Sequence, residues 1–458
     1  MKILFPVVEY QPIAGVGKLG TDVENLVKHL SESGQEISVC LPFYNNLFVS
    51  NYKIEFVSNK TLYISGLAVS FWKTSINNIT VYLIKNDEFF SFRQNIYGYD
   101  DDVYRFTFFS LAVIELIKIL GDKPEIIHIH DWHTAIIPLL LEINNIDIKT
   151  VLTVHNIRYQ GMGDLNLLNF ASVDYNYFSS GTIEFYNSVN LLKSGLFFSN
   201  KVLTNSKFYL KDIQDSFIDS YGLNGVLKLI ESKSQGISFG VEESYNPKID
   251  NIIVSNYDLS DISGKFECKT QLQKDLDLPV HSEIPLIVIP SQYISDTEVW
   301  LLNRIMPYLV RMEVQIVILG NKLADFEKNV REVAFRLNCI VVSVEENEQN
   351  LRKVFSGADI FLDISLKSYN DHLIKIALKY GVIPIVFNES PDLEIEENKF
   401  RIFNFTAEDL INTIKYTINR YYHLEKWNEK VRKCMTYDFS WQKTIKEYTN
   451  MYKDSLIT

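Results

Sequence analysis

The chain is 458 residues long, more than one hydrophobic core usually supports, and this length predicts two domains of about 200 residues each. Hydrophobic residues make up 47% and charged residues 22%, a balance that excludes disordered, collagen-like and coiled-coil proteins. The net charge of −12 argues against a nucleic-acid or anionic-membrane partner, because Lys and Arg dominate binding to such surfaces.

The cysteines and the N-terminus narrow the class of protein further. Cys40, Cys268, Cys339 and Cys434 lie far apart and form no CxxC pair, so neither a zinc site nor a disulfide framework is expected. The apolar run before Glu9 is too short for a signal peptide, and no run of 18 apolar residues predicts a membrane span. We therefore expect a cytoplasmic protein without a metal or cofactor.

The first half of the chain alternates predicted strands and helices. A strand, a helix and a second strand form a βαβ unit, which implies a parallel sheet with a right-handed crossover. Further strands and helices of the same kind predict a doubly wound α/β domain. In chain order the predicted elements are Ile3–Val8, the helix Thr21–Ser33 with Gly34 as its C-cap, Ile37–Leu41, the helix Phe106–Leu120, Ile126–Ile129, the helix Ala135–Asn144, Thr150–Val154 and Lys201–Thr204.

The second half repeats the pattern after a polar segment, Asn246–Ser263, which we interpret as the linker. The fold class is therefore α/β, with two Rossmann-like doubly wound domains at residues 1–250 and 251–458. A helical tail at Ala407–Tyr452 ends the second domain. The short apolar runs that predict its strands are Leu286–Ile289, Gln315–Leu319, Cys339–Val342, Ile360–Leu362 and Ile383–Val386.

A glycine-rich loop follows the first strand, where Gly15 to Gly20 match the dinucleotide pattern GxGxxG. The preceding strand ends near Val8, several residues too early for the tight turn that this pattern requires. Pro42 and Phe43 follow the second strand, where a ribose-binding acid would stand. The sequence therefore argues against NAD binding.

Two histidine-containing segments follow predicted strands directly. His130-Asp131-Trp132-His133-Thr134 follows Ile126–Ile129, and His155-Asn156 follows Thr150–Val154. Ligands of open α/β sheets bind at this edge. Asp131 either contacts a sugar or caps the next helix, with Trp132 packed beneath it. His155 is a candidate to bind a sugar hydroxyl, and Tyr159 to stack on a sugar face; the alternative is an internally bonded loop histidine.

In these segments and others, the chain resembles the bacterial glycogen synthases and plant starch synthases along nearly its whole length. Its His130–Thr134 is similar to the family's HDWHT, and His155 to Gly161 is similar to HNxxYQG. The other matching stretches are Glu9 with Pro12-Ile13-Ala14, Tyr97-Gly98 with Asp101, Arg105-Phe106, Phe108-Phe109-Ser110, Asn190–Gly195, Lys201-Val202 with Ser206, Tyr221–Leu227, Tyr380–Val386 and Asp438–Trp441.

The resemblance implies a GT-B fold, two Rossmann-like domains with a cleft between them. It also implies transfer of glucose from ADP- or UDP-glucose to the end of an α-1,4-glucan, with retention of configuration and no metal. An α-glucan or maltodextrin is then the expected partner. The residues that it assigns to the acceptor sugar are Glu9, Tyr97, Asp131, His155, Asn156 and Tyr159.

The same resemblance identifies departures around the sugar donor. Gly15 stands where the family has a phosphate-binding lysine, and Lys18 replaces a glycine, which leaves Lys18 as a weak donor-binding candidate. Loss of one preorganised group that stabilises a developing anion typically costs ~3 kcal/mol, a factor of ~100. The remaining departures are Gln292 for an arginine, Thr297 for a lysine, Ser368 for the essential glutamate, Asp371 for a glycine, and Glu389–Leu393, which includes Pro391 and Asp392, for a TGGL phosphate loop.

These departures leave three functions open. The first is a catalytically impaired or non-catalytic relative that binds an α-glucan or a protein partner and for which nucleotide-sugar binding is doubtful. The second is an active glucosyltransferase in which Lys18, Lys367 or His372 supplies the missing charge. The third is a scaffold without sugar contact. We favour the first, because acidic residues and a proline replace donors of hydrogen bonds to a diphosphate.

Overall fold

A computed structural model describes residues 1–44, 53–58, 61–291, 294–309, 311–320, 323, 340–365, 371–387 and 400–457. The chain forms two compact units. Unit 1 comprises Met1–Phe239 together with Gln442–Thr458, and unit 2 comprises Gly240–Trp441. The boundary therefore precedes the expected one at residue 250, and the end of the tail groups with unit 1 instead of the second domain.

The end of the tail belongs to unit 1 because its aromatic side chains are buried there. The Tyr452 hydroxyl bonds His128 Nδ1 at 2.7 Å. Tyr448 stacks on Phe239 with ring centroids 6.5 Å apart, and Thr444 Oγ1 donates to the Ser238 carbonyl at 3.0 Å. Each contact joins the tail to residues more than 200 positions earlier, which sequence periodicity does not reveal.

The strands of unit 1 form one large sheet and one small one. The larger has ten strands among the described residues, in the order β13-β12-β8-β7-β1-β2-β6-β5-β3, with β4 paired to β5. Its strands are parallel from β13 to β6, and the β5 edge is antiparallel. The strands of this unit are β1 (Lys2–Pro6), β2 (Glu36–Pro42), β3 (Glu55–Phe56), β4 (Leu62–Ile64), β5 (Leu67–Ile76), β6 (Ile79–Lys85), β7 (Ile126–His130), β8 (Lys149–Val154), β9 (Met162–Gly163), β10 (Glu184–Phe185), β11 (Ser188–Asn190), β12 (Lys201–Thr204) and β13 (Ser234–Gly236).

The helices of unit 1 bury apolar stripes. The first helix buries Val23, Leu26, Val27 and Leu30, spaced for one face of an amphipathic helix. No helix in the described ranges is both long and apolar enough to cross a membrane. The helices are α1 (Lys18–Glu32), α2 (Asp102–Ile119), α3 (Asp131–Thr134), α4 (Ile137–Ile143), α5 (Asn166–Ala171), α6 (Tyr175–Ser179), α7 (Leu191–Phe198), α8 (Lys207–Asp215) and α9 (Asn224–Leu229), with a π-helical turn at Asp87–Ser91 and a 3-10 turn at Glu231–Lys233.

Unit 2 contains a parallel sheet in the order β16-β15-β14-β17-β18-β19. This is the strand order of a Rossmann-type doubly wound sheet, with fully buried runs in its central strands. Its elements are α10 (Ser263–Asp275), β14 (Leu286–Pro290), α11 (Asp296–Leu309), β15 (Gln315–Leu319), β16 (Ile340–Val344), α12 (Glu348–Gly357), β17 (Ile360–Asp363), α13 (Asp371–Lys379), β18 (Ile383–Val386), β19 (Phe400–Arg401), α14 (Ala407–Tyr421) and α15 (Leu424–Met435), followed by α16 (Trp441–Ile457) that runs from this unit into unit 1.

The segment Asn246–Ser263, interpreted above as a linker, is a packed part of unit 2. Asp250 in its middle is 2% exposed. Its carboxylate accepts hydrogen bonds from the Tyr380 hydroxyl and from Arg352 Nη1, the latter at 3.4 Å. The polar composition that suggested a linker instead supplies buried hydrogen bonds, so this prediction was wrong.

A buried ion pair ties α10 to the core of unit 2. Lys269 Nζ donates to Asp359 Oδ2 at 2.7 Å and to the Tyr421 hydroxyl at 2.8 Å. It also donates to the carbonyls of Ser282 and Ile284 at 2.9 and 2.6 Å. Lys269 is 1% exposed, so these acceptors replace water for its ammonium group.

We predict that Lys269→Met lowers the free energy of unfolding by about 3 kcal/mol or more, because the Asp359 carboxylate is left buried without its cation. Urea denaturation followed by tryptophan fluorescence measures the change. Lys274→Met, at the exposed end of the same helix, is the matched control and changes stability little. Equal unfolding midpoints for the two variants would show that the pair contributes nothing.

Candidate functional site

The candidate site lies at the carboxyl ends of three adjacent strands of unit 1, in the order β8-β7-β1. The chain leaves β1 through β2 and β6 on one side and returns to β7 on the other. The strand order therefore reverses between β1 and β7, the place where open α/β sheets bind ligands. Four of the predicted residues, Glu9, Asp131, His155 and Asn156, follow these three strands.

Asp131 joins the ends of β7 and β8. It is 8% exposed and has a left-handed backbone, with φ of 52°. Its Oδ1 accepts hydrogen bonds from His155 N at 2.7 Å and from Asn156 N at 3.3 Å. Burial raises the pKa of Asp131, while His155 and the two amides oppose that rise. The Asp131 side chain therefore orients the loop that carries His155 and does not cap the helix that follows.

A column of histidines runs behind this loop. His128 bonds the Tyr452 hydroxyl and Thr153 Oγ1, each at 2.7 Å. The His128 ring stacks on His130 with centroids 4.5 Å apart. His130 Nδ1 lies 3.0 Å from His155 Nε2, so the column reaches the loop held by Asp131.

Burial and neighbouring charge give these rings different proton affinities. Burial lowers the pKa of His128 to about 3, and it does the same for His133. Burial, with help from His128 and His155, holds the pKa of His130 well below its usual range. The His155 side chain is 10% exposed, and the carboxylates of Asp131 and Asp22 outweigh the effect of its partial burial and raise its pKa.

The two ring nitrogens of His155 face different partners. Nε2 shares a hydrogen bond with His130 Nδ1, in which the tautomers decide the donor. The other ring nitrogen of His155, Nδ1, lies 3.7 Å from Asp22 Oδ2. His155 thus lies between two carboxylates that favour its protonated form, and Asp22 is a site residue that the sequence analysis missed.

Glu9 and Tyr97 bind each other and the glycine-rich loop. The Tyr97 hydroxyl donates to Glu9 Oε1 at 2.6 Å. Glu9 Oε2 accepts from the amides of Val16 and Gly17 at 2.8 and 2.9 Å, and Glu9 is 3% exposed. Because these bonds order the loop before α1, the helix begins at Lys18 and not at Thr21. Glu9 therefore supports the loop from beneath.

Three predicted residues remain open to solvent. Asn156 is exposed, with its Oδ1 accepting from Arg158 N at 3.0 Å. Tyr159 is 59% exposed, with the Arg158 guanidinium 6.0 Å from its ring centroid. Lys18 is exposed at the start of α1, and its charge opposes protonation of His155. These groups are available to a ligand without rearrangement of the core.

Of the donor-side positions in the second half of the chain, Thr297, Asp371 and His372 lie in the described part. The His372 ring packs edge-on against Tyr245, with ring centroids 6.4 Å apart. Thr297 is in the first turn of α11, and Asp371 begins α13, where its carboxylate lies 2.8 Å from Lys375 Nζ. Gln292, Lys367, Ser368 and Glu389–Leu393 lie outside the described residues.

Within the described ranges, no three His, Cys, Asp or Glu side chains are grouped to hold a metal ion.

Comparison with known proteins identifies the family. The starch synthase catalytic domain model matches residues 2–229. The glycogen synthase of Caldicellulosiruptor bescii is 32% identical over 485 residues, which cover 100% of both chains. That of Clostridioides difficile is 32% identical over 487 residues, covering 99% of each. The chain belongs to the glycogen and starch synthase family, as its motifs predicted.

Solved structures agree with this assignment. The chain is similar to the catalytic domain of starch synthase IV from Arabidopsis thaliana bound to ADP and acarbose, with a TM-score of 0.80 and 26% identity over 100% of this chain and 99% of that one. A sucrose-phosphate synthase from Thermosynechococcus elongatus shares the fold alone, with a TM-score of 0.57 and 13% identity over 99% and 98%. The expected GT-B fold class is confirmed.

We predict that His155 titrates above pH 6.5, whereas His128 and His133 stay neutral from pH 5 to 8. The contribution of His155 to stability is complete below pH 6.5 and is lost as pH rises through its folded pKa. His128 and His133 act oppositely, because stability falls as pH drops from 6.5 towards 3.

Ring-nitrogen NMR of histidine-labelled protein measures these titrations. Asp22→Asn should lower the pKa of His155, since it removes a neighbouring carboxylate, and Asp147→Asn at an exposed loop should leave it unchanged. A His155 resonance that titrates identically in both variants would exclude the role given to Asp22.

Proposed function

We propose that this protein transfers glucose from ADP-glucose or UDP-glucose to the non-reducing end of an α-1,4-glucan. The observation that carries the proposal is the arrangement at the carboxyl edge of β7 and β8, where Asp131 holds a loop that places His155 beside exposed Asn156 and Tyr159. The full-length similarity to proteins named glycogen synthase supports transfer more than binding alone.

In this reaction the bond between glucose C1 and the diphosphate breaks, and a bond between C1 and the acceptor O4 forms. The acceptor hydroxyl loses its proton, and the nucleoside diphosphate leaves with the electrons of the broken bond. Configuration at C1 is retained, as in the family. The protein must therefore position a neutral polyol and stabilise a growing negative charge.

Unit 1 offers groups for both tasks. Tyr159 supplies an exposed ring for a sugar face, and Asn156 and His155 supply hydrogen bonds for hydroxyls. Lys18 stands at the first turn of a 15-residue helix, whose positive end favours an anion. We therefore assign Lys18 to the binding of the leaving diphosphate.

A second candidate function, glucan binding without transfer, is favoured by Asp371. Its carboxylate occupies the first turn of α13 and pairs with Lys375, at a helix start where an anion would otherwise bind. Gly15 also leaves the glycine-rich loop without the lysine that the family places there. Both features weaken the binding of a diphosphate and leave glucan binding intact.

We predict that the purified protein incorporates labelled glucose from one of the two donors into glycogen. His155→Ala should raise the Kd for maltoheptaose about 10-fold, because a hydrogen bond to a sugar hydroxyl is lost. Lys18→Ala should lower kcat about 100-fold, because a group facing a developing anion is lost. Radiolabel incorporation and titration calorimetry measure the two effects.

Lys123→Ala, an exposed lysine before β7, is the matched control for charge and should change neither quantity. Maltoheptaose binding with no turnover on either donor would replace transfer by the second candidate function. Absence of any glucan binding would contradict both functions.

A further inference from the structure

A group of large apolar side chains is exposed on unit 1 beyond the residues discussed so far. Tyr186, Phe217, Ile218 and Tyr221, here called the aromatic platform, are 70%, 60%, 79% and 48% exposed. Tyr186 lies in the turn between β10 and β11, and the other three lie between α8 and α9. Isolated exposed apolar residues are ordinary, but apolar residues that gather in one place indicate a binding surface.

Contacts around Gly222 show that the two segments meet. A Cβ placed on this residue would lie 2.9 Å from Phe185 Cζ and 3.7 Å from both Phe217 Cε2 and the Tyr186 hydroxyl oxygen. Gly222 has φ of 88°, a left-handed conformation that suits glycine. The rings of the β10–β11 turn and of the α8–α9 segment therefore converge over one glycine.

A buried amide fixes both segments to the loop that carries Tyr159. Gln160 is 7% exposed, and its Nε2 donates to the Tyr221 carbonyl at 3.3 Å. Asn190 Nδ2, at the end of β11, donates to Gln160 Oε1 at 2.6 Å. The Leu192 amide donates to the Gln160 carbonyl at 3.0 Å. The platform is thus preorganised, so little conformational entropy is lost when a ligand binds to it.

The chemistry of the platform suits a neutral polyol. Its four side chains carry two phenol hydroxyls and no formal charge, and the exposed Asn187 adds an amide beside Tyr186. Lys193, a partly buried cation beside these rings, is already engaged, since its Nζ donates to the Glu184 carbonyl at 2.5 Å and lies 5.7 Å from the Phe185 ring centroid. Aromatic faces with hydroxyl groups at their edges match the C–H faces and hydroxyls of glucose rings.

We propose that the aromatic platform is a second glucan-binding site, separate from the loop of His155, that holds the body of a long α-1,4-glucan. The proposal rests on the function proposed above, because Gln160 links the platform to Tyr159, which faces the acceptor there. Short maltooligosaccharides occupy the loop site alone. A polymer reaches both sites, and the second contact raises its apparent affinity through effective concentration.

The test is affinity electrophoresis through glycogen-containing gels, with calorimetry of maltotriose in parallel. The variant Tyr186→Ala with Phe217→Ala should bind glycogen about 10-fold more weakly, because stacking at two rings is lost, and should bind maltotriose unchanged. Tyr63→Ala with Phe92→Ala, two residues that are each 75% exposed elsewhere on unit 1, is the control and should match the wild type in both assays. Tyr186→Trp with Phe217→Trp retains the rings and should keep glycogen affinity.

Unchanged glycogen affinity in the alanine variant would show that the aromatic platform does not bind glucan, and the proposed function would still stand. A wild type that binds neither maltotriose nor glycogen overturns the proposed function and the platform with it. Light scattering tests the alternative that the platform binds a second copy of the chain. A wild-type dimer that becomes monomeric in the alanine variant would identify the platform as a subunit interface and overturn its assignment to glucan.

Discussion

The arrangement of the candidate site depends on the bonds from the amides of His155 and Asn156 to the Asp131 carboxylate. A parallel sheet brings the ends of β7 and β8 together but does not by itself order the loops that follow. Asp131 orders these loops. Its own backbone adopts a strained left-handed conformation, and such strain persists where surrounding contacts stabilise it. The position of the His155 ring follows from this constraint.

The electrostatics of the site follow from the same placement. Asp131 is nearly buried, so its charge is poorly screened and acts strongly on the adjacent His155. His128 and His130 lie deeper, and burial keeps both neutral. Of these two neutral rings, His130 is the one that holds His155, through a hydrogen bond at 3.0 Å. The two rings directly behind His155 therefore carry no charge.

Much of the fold could be predicted because its signals are local. Buried apolar runs predicted the central strands, and the position of His130 and His155 after two of them predicted the edge where the site lies. The start of α1 was missed because Glu9, which orders the preceding loop, acts through the folded structure. The course of the tail was missed because Tyr452 meets His128 across 324 positions. Asp22 was missed because it meets His155 only in the folded structure.

Glucan binding and donor binding make different physical demands, which explains how one can change without the other. A glucan is neutral and needs apolar faces and hydrogen bonds, which loops supply when buried groups such as Gln160 and Asp131 hold them in place. A departing diphosphate needs cations and amides at helix starts, and one carboxylate such as that of Asp371 alters such a helix start. Substitutions on the donor side therefore reduce transfer long before they reduce affinity for the polymer. The ratio of glucan binding to turnover, more than either quantity alone, therefore distinguishes the two proposed functions.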